Sequence, residues 1–139
     1  MKTILLFLTL LTCLAACKKE TQNYITVPDG TYVGTFQREL VWAENDTAKI
    51  KITFLANTWT GSSDKNNYPA LCKGTYKIEG DTIIFENQCE WTAEFDWSLI
   101  LSGKYVIKTK GNTIEFYRDN RSGTSDTYVD RYKINSQGK

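Results

Sequence analysis

The stretch that decides the fold is residues 72–89, which read CKGTYKIEGDTIIFENQC. Tyr76 and Ile78 alternate with polar residues before Gly80-Asp81, and Ile83 and Phe85 share one face after it. Gly-Asp between two such runs is typical of a two-residue hairpin loop. A period of two belongs to a β-strand and not to a helix. The stretch therefore predicts two antiparallel strands joined by a tight turn.

The turn also predicts the register of this hairpin. If Glu79 and Thr82 flank the loop, Tyr76 faces Phe85 and the two cysteines at the ends of the stretch face each other. Such a pair is of the non-hydrogen-bonded type, the closer of the two types in an antiparallel ladder, and its separation suits a disulfide. We therefore predict a disulfide between Cys72 and Cys89. The alternative is two unpaired buried thiols.

The same period of two runs through most of the chain. Apolar and polar residues alternate over residues 50–54, and a second hairpin turn is predicted at Gly111-Asn112, which places Ile107 opposite Phe116. About eight short antiparallel strands then follow one another in order. This arrangement predicts an all-β fold, an up-and-down eight-stranded barrel whose closure removes exposed edges. A β-sandwich is the alternative.

The first residues have the pattern of an export signal. An apolar run at residues 4–14 follows Lys2; it is too short to span a bilayer and has the length of a signal-peptide core. The next residues, Leu14-Ala15-Ala16-Cys17, resemble the lipobox of bacterial lipoproteins. In that family the cysteine is acylated and begins the mature chain. The alternative is an ordinary secretory signal followed by a chance cysteine.

The lipoprotein resemblance implies a division of the chain. Residues 1–16 would be the signal peptide, residues 17–27 a lipidated N-terminus and tether, and residues 28–139 the barrel domain. Cys17 would be the lipidation site, and the membrane would be the partner reached through it. Lys18 stands where an inner-membrane retention aspartate would stand, which favours lipid anchoring at the outer membrane, on its periplasmic or cell-surface face.

Composition argues against several functions. The 139 residues contain 17 Lys and Arg, 16 Asp and Glu and no His. A balanced charge with no basic stripe does not attract nucleic acid. The lack of histidine removes the commonest general base and zinc ligand, and no nucleophile elbow, metal-ligand spacing or phosphate loop occurs. We therefore expect no catalytic residues, no metal and no cofactor.

A resemblance to a protein family follows from three segments. Gly30-Thr31-Tyr32, residues 74–85 and residues 99–105 are similar to segments of small lipocalin-like lipoproteins, many of which have no assigned function. The resemblance implies a calycin-like barrel that is anchored in the envelope. Barrels of eight strands are either just filled by their own side chains or hold one small ligand. The resemblance to lipocalin-like lipoproteins therefore implies a non-catalytic protein that binds a small apolar or amphipathic ligand.

The strand pattern indicates which side chains would contact such a ligand. Asp130 and the candidate lining residues project to the predicted inner face; the candidates are Trp59, Tyr76, Phe85, Tyr105, Phe116 and Arg118. The alternative is that the aromatic members simply fill the core. A buried charge must be paired, so we expect Arg118 and Asp130 either to pair with each other or to orient a polar ligand head at the barrel end.

A dense aromatic and acidic cluster lies beyond the first hairpin, where a break in the strand pattern is expected near Asp96. Trp91, Phe95 and Trp97 surround Glu94 and Asp96. We expect these aromatic side chains to be buried as a plug at one end of the barrel. If they were exposed, they would suit sugar stacking or a partner surface.

A second family resemblance predicts a different function. The segments at residues 102–105 and 105–111 are similar to two short motifs of periplasmic lysozyme inhibitors, which are also small β-barrel lipoproteins. That resemblance would make Ser102 and Lys110 the contact residues of an exposed inhibitory loop. The alternative function is therefore an inhibitor or protein-interaction module of the envelope, with its protein partner unknown.

Overall fold

The strands form one closed antiparallel barrel. The computed structural model describes residues 24–124 and 128–138, so the predicted signal peptide and Cys17 lie outside the described residues. Each strand pairs with its neighbour in the chain and β1 pairs with β8, which confirms the up-and-down barrel over the sandwich. The strands are β1 (Gly30–Leu40), β2 (Thr47–Leu55), β3 (Thr58–Ser63), β4 (Lys73–Glu79), β5 (Thr82–Asn87), β6 (Gly103–Lys110), β7 (Thr113–Asp119) and β8 (Tyr128–Ser136).

The predicted hairpin register is confirmed. Tyr76 pairs with Phe85 and Glu79 with Thr82, on either side of the Gly80-Asp81 turn. Cys72 and Cys89 form a disulfide with a Cα–Cα distance of 6.4 Å. The two cysteines lie just outside β4 and β5 and so close the open end of the hairpin. On the chain-entropy estimate, a loop of this size contributes roughly 3 kcal/mol of stability.

The second hairpin also has the predicted register, with Ile107 opposite Phe116. The break in the strand pattern is longer than expected. Residues 88–102 form a loop that contains a short 3₁₀ helix, Trp97–Leu99, and β6 begins only at Gly103. Asp96 caps this helix, since its carboxylate accepts a hydrogen bond from the backbone nitrogen of Ser98 at 2.9 Å.

Two glycines allow neighbouring strands to approach closely. A Cβ atom at Gly74 would lie 1.7 Å from the carbonyl oxygen of Glu86, and one at Gly34 would lie 1.9 Å from that of Lys133. Any other residue would force these strands apart. Both glycines lie on the apolar face of their strands, so they narrow the barrel where bulky rings would otherwise project.

The two ends of the barrel differ. Short turns at residues 56–57, 80–81 and 111–112 form one end, which we call the base. The long loops 41–46, 64–72 and 88–102, together with residues 120–124, form the other end, which we call the mouth. Long irregular loops more often carry binding residues than short turns do, so the mouth is the candidate end for a binding site.

The chain enters the barrel at the base. Val27 is buried and Ile25 packs against the core, so these residues before β1 belong to the packing of the barrel. Tyr32 Oη donates to the carbonyl of Pro28 at 2.8 Å, and the carboxylate of Asp29 accepts from the backbone nitrogen of Ala56 at 2.9 Å. These contacts hold residues 25–29 beside the short turns. None of the described helices is long and apolar enough to cross a bilayer.

Candidate binding site at the barrel mouth

Five of the six residues predicted to contact a ligand lie in the barrel core. Trp59, Tyr76, Phe85, Tyr105 and Phe116 are each no more than 8% exposed. Their rings contact one another with centroids 5.1–6.3 Å apart, mostly edge to face. Offset and edge-to-face pairs are favourable arrangements for aromatic side chains. The rings pack against each other, as the core-filling alternative predicts.

The sixth predicted residue, Arg118, lies at the mouth. Its Nη2 is 3.3 Å from Oδ2 of Asp130, so the predicted pairing of these two residues is present. Its terminal nitrogens also donate to the backbone carbonyls of Ser98 at 2.9 Å and Ser102 at 3.0 Å. The guanidinium lies 4.9 Å from the ring centroid of Tyr105, and this cation–π contact joins the mouth to the core.

The main partner of Asp130 is a residue that sequence analysis missed. Arg38 donates to both oxygens of this carboxylate, from Nε at 2.7 Å and from Nη2 at 2.9 Å. Asp130 is 1% exposed and Arg38 is 7% exposed. A buried charge needs such pairing. The alternation of inward and outward residues in β1 could have identified Arg38, because Arg38 follows Phe36 among the inward-facing even positions of this strand.

Arg38 also holds the long loop of the mouth. Its Nη1 donates to Oδ2 of Asp96 at 2.9 Å and to Oγ of Ser98 at 3.0 Å. The guanidinium lies 3.9 Å from the ring centroid of Tyr128, which covers it. Arg38 and Arg118 thus reach the same loop segment from two strands, and we call Arg38, Asp96, Arg118 and Asp130 the arginine network.

The protonation states in this region follow from burial and pairing. Burial lowers the pKa of Arg38, but the hydrogen bond and charge of Asp130 outweigh it, so that the pKa is raised overall. Burial raises the pKa of Asp96, but hydrogen bonds from Ser98 and the charge of Arg38 outweigh it and lower the pKa. Burial raises the pKa of Tyr105 to about 12. Near neutral pH Arg38 and Asp96 are therefore charged and Tyr105 is not.

A cleft of about 670 Å³ opens between the long loop and the barrel rim. This volume lies within the range of about 300–1,000 Å³ that is usual for small-molecule sites. Aromatic, charged and neutral polar side chains share its wall. The lining residues are Asn87, Cys89, Glu90, Trp91, Trp97, Ser98, Ile100, Ser102, Gly103 and Arg118.

The predicted burial of the aromatic cluster is wrong for Trp97, whose exposed fraction is 57%. Its Nε1 donates to the carbonyl of Thr92 at 2.9 Å, and this bond holds the indole in place. Trp91 is half-buried and packs edge to face on Phe95 with centroids 5.5 Å apart. The arginine network keeps the 3₁₀ helix at the rim, so it also keeps the Trp97 ring at the edge of the cleft.

The two residues implied by the lysozyme-inhibitor resemblance do not share a loop. Ser102 lies at the mouth just before β6, whereas Lys110 is the last residue of that strand at the base. A strand of eight residues is about 26 Å long. One exposed loop therefore does not present both side chains.

The mouth combines paired charges with an exposed aromatic face. The buried carboxylate of Asp130 and the exposed carboxylate of Asp96 are both engaged by arginines. The described residues contain no group of three or more His, Cys, Asp or Glu side chains placed to hold a metal ion. What the mouth offers is a fixed indole face beside polar groups in a cleft.

Comparisons with known proteins add no family. A scan against protein-family models, a search of curated proteins and a search of solved structures each found no match to this chain.

Proposed function

We propose that this chain is a non-catalytic lipoprotein of the cell envelope, anchored through Cys17, that binds a small amphipathic ligand at the barrel mouth. The observation that carries the proposal is the cleft beside Trp97, an exposed indole held in place above the arginine network. A ring that is already fixed loses little conformational freedom on binding, and this preorganisation favours affinity.

The mouth supports binding better than the interior does. The interior side chains pack ring against ring, with Phe85 in contact with five other rings. A ligand placed there would have to displace close-packed side chains, which is costly in a native core. The mouth cleft needs no such rearrangement, and its wall combines apolar and polar groups, as sites for small ligands usually do.

The course of the chain agrees with a lipid anchor at Cys17. The described chain starts at Tyr24 and enters the barrel at the base. Cys17 precedes Tyr24 by only seven residues in the sequence. An acylated Cys17 would therefore hold the base next to the membrane and leave the mouth facing away from it. Lys18 after the cysteine supports placement in the outer membrane.

The anchor is tested by metabolic labelling with palmitate. We expect the wild-type chain to incorporate label and to sediment with membranes, and we expect Cys17→Ser to lose the label and to appear in the soluble fraction. Two acyl chains or more are needed for stable anchoring, so the shift should be nearly complete. Label that persists in Cys17→Ser, or a wild-type chain that carries none, would refute the anchor.

The binding site is tested with the neutral amphipathic dye N-phenyl-1-naphthylamine. The protein is the processed chain that begins at residue 17 and carries Cys17→Ser. We expect dye fluorescence to increase on binding, and Trp97→Ala to weaken binding about tenfold, as expected for loss of an aromatic anchor of about 1.4 kcal/mol.

The matched control is Trp42→Ala, because Trp42 is also an exposed tryptophan at the mouth, 92% exposed, but does not line the cleft. This variant should bind the dye as the wild type does. Equal dye affinity in Trp97→Ala and the wild type, or no dye binding at all, would contradict a site at the mouth.

A further inference from the structure

We infer that the ligand of the mouth cleft is a neutral saccharide. This inference rests on the proposed function and names the chemical class that the cleft would take. It follows from three properties of the lining residues: a fixed aromatic face, polar atoms of both hydrogen-bonding kinds, and a balance of charge.

The aromatic face comes from the exposed indole of Trp97. The bond from Nε1 to Thr92 at 2.9 Å fixes one edge and leaves the ring more than half exposed. Aromatic rings carry negative partial charge on their faces. A pyranose ring presents a flat patch of weakly positive C–H groups with hydroxyls around its rim, and such a patch stacks on an indole face.

Three residues that line the cleft each have a buried side-chain atom without a hydrogen-bond partner, one of them an acceptor and two of them donors. Asn87 uses Nδ2 to donate to the carbonyl of Cys89 at 2.8 Å, while its Oδ1 is buried without a partner. Trp91 Nε1 and Arg118 Nε are donors that are likewise buried and unpaired. Buried polar groups are nearly always paired in native proteins. The wall also carries the hydroxyl of Ser102 and the carboxylate of Glu90. A sugar hydroxyl both donates and accepts, so a polyhydroxylated ring suits a wall with donors and acceptors.

The charges of the cleft favour a neutral ligand over an acidic one. Both terminal nitrogens of Arg118 already donate to backbone carbonyls, and its charge is paired with Asp130. Glu90 adds an acidic group to the same wall. A carboxylate or phosphate ligand would therefore meet no uncompensated cation among the described lining residues.

The wall is also unsuited to a long acyl chain. Ile100 is the single aliphatic side chain among the described lining residues, which also include serines, an asparagine and charged groups. Burying an acyl chain there would remove those polar groups from water without pairing them, which is unfavourable. A sugar offers apolar contact on its face and hydrogen bonds at its edge.

The test is titration calorimetry of the processed chain carrying Cys17→Ser. The neutral probes are cellobiose, maltose and N,N′-diacetylchitobiose. The comparison probes are glucuronic acid, which adds a negative charge, and sorbitol, which has hydroxyls but no ring face. We expect at least one neutral disaccharide to bind and to compete with N-phenyl-1-naphthylamine, and we expect neither comparison probe to do so.

Variants then assign the binding to the cleft. Trp97→Ala should weaken disaccharide binding about tenfold or more, Trp97→Phe should keep most of it, and Trp42→Ala should leave it unchanged. Absence of disaccharide binding while the dye still binds in a Trp97-dependent way would overturn the saccharide inference and leave the proposed site standing. Loss of Trp97 dependence for the dye as well would overturn both.

Discussion

Asp130→Ala should lower the free energy of unfolding by about 3–5 kcal/mol, the usual cost of removing one partner from a buried ion pair. The substitution leaves the guanidinium of Arg38 in a site where it is 7% exposed, without the carboxylate that accepts two of its hydrogen bonds. It also removes the acidic partner of Arg118. The measurement is urea unfolding followed by circular dichroism.

The control is Asp119→Ala, which removes an aspartate of the neighbouring strand β7. Asp119 pairs with Arg121 on the surface, where solvent screens the charges, so the midpoint should hardly move. A loss for Asp130→Ala as small as that for Asp119→Ala would show that the buried pair contributes nothing. The comparison requires equal denaturant slopes, because a changed slope means that the denatured or native state has changed in compactness or that unfolding is no longer two-state.

Replacing Arg38 and Asp130 together distinguishes a contribution of this pair to stability from a contribution to the position of the long loop. Buried ion pairs exchanged together for apolar residues of similar size are often neutral or stabilising, so Arg38→Met with Asp130→Leu should recover much of the stability that Asp130→Ala loses. We expect the double variant to bind the dye more weakly than the wild type, because the long loop loses its bonds from Arg38 to Asp96 and Ser98. That outcome would show that the arginine network positions the long loop of the mouth.

Local rules were sufficient for most of the fold. The Gly80-Asp81 turn and the alternation beside it determine the hairpin register, and the cysteine pair follows from that register. These features depend on residues that are close in sequence, where turn geometry and the two-residue period apply directly. Closure of the barrel also follows from the order of the strands, because the first and last strands are the two edges of the sheet and can pair with each other.

The mouth could not be predicted in the same way. Odd positions from Trp91 to Tyr105 are nearly all apolar, which favours an extended strand, yet residues 88–102 form a loop. The bonds that hold this loop come from Arg38, 58 and 60 residues away, and from Arg118, 20 residues away. Contacts between such distant residues override the local pattern, so the exposure of Trp97 was not foreseen.

The alternation of inward-facing and outward-facing residues also cannot distinguish a filled barrel from a hollow one. The residues that would line a cavity are the same ones that fill it, and the difference depends on how ring volumes match the barrel radius. Here Gly34 and Gly74 draw the strands together, with no room for a Cβ atom at either position. The predicted interior contact residues therefore pack against each other.

Phe85→Ala should convert the filled interior into one that accepts a small apolar ligand. Phe85 is 1% exposed and contacts the rings of five neighbours, Phe54, Trp59, Tyr76, Tyr105 and Phe116. Truncating a buried phenylalanine to alanine typically lowers the free energy of unfolding by about 3–5 kcal/mol. An apolar cavity of this kind stays dry and can bind benzene.

The measurement is the melting temperature with and without benzene. A ligand that binds only the folded state raises stability, so benzene should raise the melting temperature of Phe85→Ala and leave those of the wild type and Trp97→Ala unchanged. Phe85→Leu, which leaves a smaller gap, serves if the alanine variant does not fold, and its melting temperature should rise less. An equal rise in the wild type would show that the native core already has room for a ligand, and the binding site would then belong in the interior and not at the mouth.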